Sequence, residues 1–170
     1  MRVVVSWLLV ILIVFAIGWM ANASFARLQQ KKERAISLST FPKLNLLSLD
    51  SLGFRLESLP LEPVVLIHFN SGCDHCQYEA AAIKASINKF KGAQLVFFST
   101  EPITVIRQFS EQHGLSEYVN IHLTKINAAD VTATLGTLAV PHLFIYGADR
   151  KLLKEFRGET KPEAILKYLQ

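Results

Sequence analysis

The strongest pattern along the chain is an apolar run from Val3 to Ala21 (VVVSWLLVILIVFAIGWMA), with no formal charge between Arg2 and Arg27. At ~1.5 Å per helical residue it spans roughly the hydrocarbon core of a bilayer. A core helix is rarely apolar on every face for this length, so a membrane helix is expected. Trp7 and Trp19 stand near its two ends, where aromatic belts form. Ala21-Asn22-Ala23 is also an A-x-A cleavage site, but the run is long for a removable signal, and a retained anchor over 1–23 is expected. Residues 24–40 are polar and basic, without a strong apolar stripe, and read as a juxtamembrane linker. A single α/β domain is expected over 41–170.

Within that domain the hydrophobic period switches between two and 3.6 residues. Leu44–Leu49 and Phe54–Leu59 flank Asp50-Ser51-Leu52-Gly53 and predict a hairpin. Val64–Phe69 is nearly continuous and β-branched, as in a strand covered on both faces. A helix is predicted from Asp74 to about Lys91, with Gly92 as its stop. Leu95–Ser99 reads as a second buried strand. Thr100 is placed to cap a helix starting near Pro102. Val119–Leu123 predicts a short strand, Ala128–Leu135 a short helix, and His142–Tyr146 a strand. Gly147-Ala148-Asp149-Arg150 turns that strand into Lys151–Phe156. Thr160-Lys161-Pro162-Glu163 reads as a capping box opening a helix to Leu169. This order implies a mixed central sheet with helices on both faces.

Charge placement narrows the function. The net charge is +4, yet from Ala35 onward 13 Lys and Arg face 13 Asp and Glu. The folded part lacks the basic patch of a nucleic-acid-binding domain. The excess lies in Arg2, Arg27, Lys31, Lys32 and Arg34. Basic residues after the apolar run favour a cytoplasmic C-terminal flank. Large domains translocate largely regardless of such charge, and the cysteines favour an oxidising compartment, so an extracytoplasmic (periplasmic-side) domain is expected.

The chain has two cysteines, Cys73 and Cys76, in FNSGCDHCQYE. They follow a predicted buried strand and open a predicted helix. Unpaired N–H groups and the dipole there favour negative charge. A thiolate at Cys73 is thereby stabilised, and the thiolate is the attacking species in disulfide exchange. The two-residue spacing lets Cys76 reach back to resolve a mixed disulfide. Strand, C-x-x-C and helix in succession form a redox signal. A zinc ribbon would need a second C-x-x-C or a His pair. The remaining metal option would join His75 or His142 to the two cysteines.

Glu79 lies three residues after Cys76 on the same helical face; a solvated surface carboxylate is the alternative. His75 stands between the cysteines, where it is expected to act near the sulfurs, with Asp74 opposing it by charge. His68 alternates among apolar residues and reads as a hydrogen-bonded core histidine. Leu138-Ala139-Val140-Pro141 precedes an apolar strand, and a Pro there belongs at a strand's first residue or on a loop. From local sequence alone the bond before Pro141 reads as trans.

Together, strand Val64–Phe69, Cys73-Asp74-His75-Cys76, Glu79, Val140-Pro141 before HLFIY, the turn Gly147–Lys151 and Gly158 resemble the membrane-anchored thioredoxin-fold proteins of the TlpA, redoxin and AhpC/TSA-like group. The resemblance covers roughly 41–170. It departs in having Asn70-Ser71-Gly72 where Trp is usual, His75 where Pro precedes the second Cys, Ala81 where a Pro commonly follows the Glu, and His142 where Thr is frequent. It implies a thioredoxin-like domain, a redox-active Cys73–Cys76 disulfide and proton shuttling for Cys76 by Glu79. It further implies a cis Val140–Pro141 bond facing the disulfide, with Val140, Pro141 and His142 binding the substrate strand. The activity expected is thiol–disulfide exchange with envelope protein partners, without an organic cofactor or metal.

Two alternatives remain open. A peroxiredoxin-type peroxidase needs Thr or Ser three residues before the reactive Cys and a Pro four residues earlier, where this chain has Asn70 and Leu66. A copper-binding assembly factor of this fold uses C-x-x-x-C, one residue longer than the spacing here.

Overall fold

The structure, a computed structural model, describes residues 2–136 and 138–169; for residues 2–14, 16, 21, 27, 30 and 31 it describes the backbone alone. The chain divides into two compact units, Met1–Ser37 and Leu38–Gln170. Helix α1 runs Arg2–Ser39 without a break through the segment expected to be a linker. Between Gly18 and Pro42 no Gly or Pro interrupts a stretch rich in Ala, Arg, Gln, Lys and Glu, which are good helix formers. The side chains of the expected anchor lie mostly outside the described residues. Among the described residues no helix is long and apolar enough to cross a membrane.

The second unit contains seven strands: β1 (Leu46–Ser48), β2 (Gly53–Phe54), β3 (Val64–His68), β4 (Gln94–Ser99), β5 (Ile121–Lys125), β6 (His142–Tyr146) and β7 (Leu152–Arg157). Its helices are α2 (Asp74–Ala85), α3 (Ile103–Gln112), α4 (Ala128–Leu135) and α5 (Pro162–Leu166). The sheet order is β2-β1-β5-β4-β3-β6-β7. Strands β3, β4 and β5 are parallel, and β6 and β7 add antiparallel on the other side. Crossovers β3-α2-β4 and β4-α3-β5 progress one way across the sheet, so their shared right-handedness puts α2 and α3 on one face. The chain then returns past β4 and β3 to β6, which carries α4 to the other face.

Side-chain alternation divides the core accordingly. Val65, Ile67, Phe69, Leu143 and Ile145 pack with Cys76, Ala80 and Ile83 of α2, Ile106 and Phe109 of α3, and Ile165 of α5. Val64, Leu66, Phe144 and Tyr146 face the opposite layer, with Val131 and Leu135 of α4. All five residues of β3 are buried, as parallel strands covered on both faces require.

Several elements differ from the sequence expectation. The first hairpin pairs only Leu46–Leu47 with Gly53–Phe54, and Leu56–Ser58 forms a 3-10 turn. Helix α2 ends at Ala85, and a 3-10 turn over Ile87–Phe90 carries Phe90 into the core at 0% exposure. Strand β5 starts at Ile121, not Val119, which is 92% exposed. That two-residue shift equals the side-chain period, so the buried face is preserved. Thr100 does not cap α3; Pro102 precedes the helix and its carbonyl accepts from Val105 and Ile106. The expected capping box does not form at Thr160 either. Lys161 precedes α5, which ends at Leu166, and no side chain caps it.

Candidate functional site: a dithiol at a helix start

Strand β3 delivers the chain to the site. Phe69 N–H donates to the Phe98 carbonyl, and Asn70 then turns the backbone: its Oδ1 accepts from Gly72 N–H (3.0 Å) and its carbonyl from Cys73 N–H (3.2 Å). A side chain at Gly72 would place Cβ 3.3 Å from that Oδ1, so this turn favours glycine. Cys73 occupies the residue before α2 in extended conformation (φ −94°, ψ 115°), and its carbonyl accepts from Cys76 and Gln77 N–H. Gln77 Nε2 donates to the Ser71 carbonyl (2.8 Å). The Glu101 carboxylate accepts from both Ser71 N–H (2.8 Å) and Ser71 Oγ–H (2.7 Å). Glu101 therefore supports the turn from the end of the neighbouring parallel strand, a role the linear sequence did not signal.

The two sulfurs are unequal. Both cysteines are free, Cys73 half-buried and Cys76 buried. Cys73 is partly exposed and donates to the Val140 carbonyl at 3.8 Å. Cys76 is 2% exposed. Burial pushes its thiol up to about 12; the Asn70 backbone N–H opposes this, while Cys73 and the charge that Glu79 carries when ionised reinforce it. Its proton must therefore be accepted by a nearby group before Cys76 can act as a nucleophile near neutral pH.

Glu79 is a buried acid, 1% exposed, and the surface alternative does not hold. Its Oε1 accepts from Thr160 N–H at 2.9 Å. Burial raises its carboxyl to about 8, the Thr160 hydrogen bond works against that rise, and the Glu159 charge adds to it. A carboxylate poised there can exchange protons near neutral pH.

His75 is 69% exposed, and its Nδ1 lies 2.8 Å from Glu159 Oε2, so this nitrogen is engaged away from the sulfurs. Asp74 is exposed at the first residue of α2. The Val140–Pro141 peptide is cis. The Pro141 carbonyl accepts from Gly158 N–H at 2.9 Å. His142 shares the Phe144 face of β6, stacks on Phe144 with ring centroids 4.7 Å apart, and places Nε2 2.7 Å from Glu155 Oε1. Its side chain is thus on the sheet face opposite Cys76, and only its backbone lies along the path expected for a substrate strand.

His68 pairs across the sheet with His142 and stacks on Phe98. Burial, then the His142 charge, lower it to about 4 despite a hydrogen bond with the Ala139 backbone. This core histidine is neutral at physiological pH. Sequence reasoning missed Glu101, Glu159 and Thr160. Gly158, with φ +86°, was the one local signal that the last of these segments approaches the site. Among the described residues no group of three His, Cys, Asp or Glu side chains is placed to hold a metal ion. A cavity of about 350 Å³ at the β1–β2–β5 edge, lined by Leu44, Phe54, Arg55 and Lys125, contains none of the site residues.

A mixed sheet with C-x-x-C opening the helix after its central strand, and a cis-proline beside the first sulfur, defines a thioredoxin-like fold. Solved structures share it. A secreted Mycobacterium tuberculosis disulfide oxidoreductase homologous to E. coli DsbE matches with TM-score 0.57 and 18% identity, over 74% of this chain and 87% of that one. The MTB protein dsbF, solved in mixed oxidised and reduced forms, matches with TM-score 0.62 and 18% identity, over 78% and 94%. The peroxidoxin BcpB from Mycobacterium tuberculosis matches with TM-score 0.60 and 20% identity, over 78% and 96%. No family model matches the sequence, and no curated protein does.

Proposed function

We propose that this chain is a membrane-tethered thiol–disulfide oxidoreductase whose dithiol, Cys73 and Cys76, exchanges with protein partners on the extracytoplasmic side. One observation carries the reading: a partly exposed Cys73 beside the Val140 carbonyl and cis-Pro141, with a buried Cys76 behind it and a buried Glu79 one turn on. The tether rests on the apolar run Val3–Ala21, and the compartment on the cysteine chemistry.

In the reductive direction the Cys73 thiolate attacks one sulfur of a substrate disulfide. A mixed disulfide forms and one substrate thiolate leaves. The substrate strand lies against the backbone of Val140, Pro141 and His142. Glu79 in its ionised form then accepts the Cys76 proton, and the Cys76 thiolate attacks Cys73 Sγ. This forms the Cys73–Cys76 bond and releases the second substrate thiolate, so the substrate gains two electrons and the protein loses two. Oxidation of a substrate dithiol is the reverse sequence. Asp74 and His75 open α2 beside Cys73, with the His75 ring engaged by Glu159.

Trapping tests the assignment. Cys76→Ala leaves a mixed disulfide that nothing resolves, so reductant-sensitive covalent adducts with envelope proteins should accumulate. If Cys73→Ala traps adducts and Cys76→Ala does not, the nucleophile is the other sulfur. Peroxide consumption without disulfide exchange would instead establish the peroxidase alternative, and stoichiometric Cu(I) binding without exchange the copper-binding one.

A further inference from the structure

Three consecutive residues of the β7–α5 connection each bind a different part of the dithiol site. Gly158 N–H donates to the Pro141 carbonyl at 2.9 Å. Glu159 Oε2 lies 2.8 Å from Nδ1 of His75, the residue between the two cysteines. Thr160 N–H donates to Glu79 Oε1 at 2.9 Å. Thr160 Oγ1 closes the turn on the Gly158 carbonyl at 3.0 Å. The first and third contacts use backbone donors, which substitutions leave in place. Glu159 supplies the side-chain contact, and it is 42% exposed, so replacing it opens no cavity.

We infer that Glu159 is a positioning residue: by gripping His75 it holds the 158–160 segment so that the Thr160 N–H is presented to Glu79. The inference rests on the reading of Glu79 as proton acceptor for Cys76, and it names the residue that sets that acceptor's state. Glu159 acts on Glu79 in two opposed ways. Its charge disfavours the Glu79 carboxylate, whereas the N–H it positions favours it. Cys76, one turn earlier on α2, also interacts electrostatically with Glu79. Among the described residues no Lys, Arg or His forms an ion pair with Glu79.

Two substitutions separate the effects. Glu159→Gln keeps an oxygen that accepts from His75 Nδ1–H and removes the charge. Glu159→Ala removes both. The measurement is made on the full reduced chain in detergent micelles: carbon-13 titration of the Glu79 carboxyl and amide hydrogen exchange at Thr160. With Glu159→Gln the Glu79 midpoint should move to lower pH while Thr160 exchanges as in the parent. With Glu159→Ala, Thr160 should exchange roughly five- to tenfold faster, the equivalent of about one net hydrogen bond. The Glu79 midpoint should then lie above that of Glu159→Gln. If either quantity is the same in the two variants, or their order is reversed, Glu159 positions nothing and the inference fails. Disulfide exchange of the parent with glutathione is measured alongside; its absence would overturn the functional reading while the titration still decides the role of Glu159.

Discussion

Glu79 shows how one residue's environment becomes a property of the whole fold. Burial holds its carboxyl at about 8, against an ordinary 4.5. Between those values the native state keeps a proton that the unfolded chain has released, so rising pH favours unfolding. This contribution to stability is complete below about 4.5 and is lost as pH rises through about 8. His68 acts oppositely: held at about 4 against 6.5, it adds stability as pH rises, and its effect is complete above 6.5. The interval from 6.5 to 8 therefore isolates Glu79 from His68. Glu79→Gln keeps a carbonyl for the Thr160 N–H and has no proton to lose. The parent's urea midpoint should fall from pH 6.5 to pH 8, and the variant's should fall much less. Equal falls would show that another group titrates there.

At the scale of elements, the β6–β7 hairpin carries a cost that a side chain offsets. Arg150 has φ +63°, in the left-handed region that disfavours any residue with a Cβ. Its guanidinium donates to the Leu59, Pro60 and Glu62 carbonyls at 3.0, 2.7 and 3.3 Å and lies 4.8 Å from the Phe41 ring centroid. One side chain thus ties the hairpin tip to the segment that leads into β3. Arg150→Ala keeps the strained backbone and loses the donors, and should cost about 2 kcal/mol of unfolding free energy. Arg150→Gly loses the same donors but relaxes the backbone, and should cost about 1 kcal/mol less than Ala. Denaturant unfolding of both variants compares the two terms, and an Ala variant as stable as the Gly variant would mean that the turn is unstrained.

For the molecule as a whole, the decisive feature is the separation of charge from chemistry. The basic excess lies before Ala35, and the rest of the chain is electrically balanced. Flanking charge alone would keep the C-terminal side of the apolar run in the cytoplasm. The proposed exchange chemistry suits the opposite side, where disulfides persist. Alkaline phosphatase fused after Gln170 should be active in intact cells, with a cytoplasmic reporter at the same position silent. The reverse pattern would place the dithiol in a reducing compartment and restrict it to a transient or reductive role.

Which of these features were visible in the linear chain follows from their range. Buried strands β3, β4 and β6 and the start of α2 after Cys73 are legible because burial on both faces and helix initiation are written in neighbouring residues. Periodicity located β5 only to within one period, because a shift of two residues leaves its faces unchanged and pairing with β4 selects the register. Local pattern also misassigned Thr160: Thr, Pro and Glu compose a capping box, yet the Thr160 N–H lies within reach of Glu79, 81 residues away in sequence. The same distance explains Glu159, which meets His75 across 84 residues, and Glu101, which meets Ser71 across a parallel strand pair. Neither carries a spacing signal. His142 sits beside Pro141 in sequence, but strand alternation turns its ring to the opposite face. The chain's local code specified the strand, the turn and the two cysteines. Packing of distant segments against that turn buries Cys76 and Glu79 and sets their acidities, because desolvation depends on what covers a group and not on its sequence neighbours.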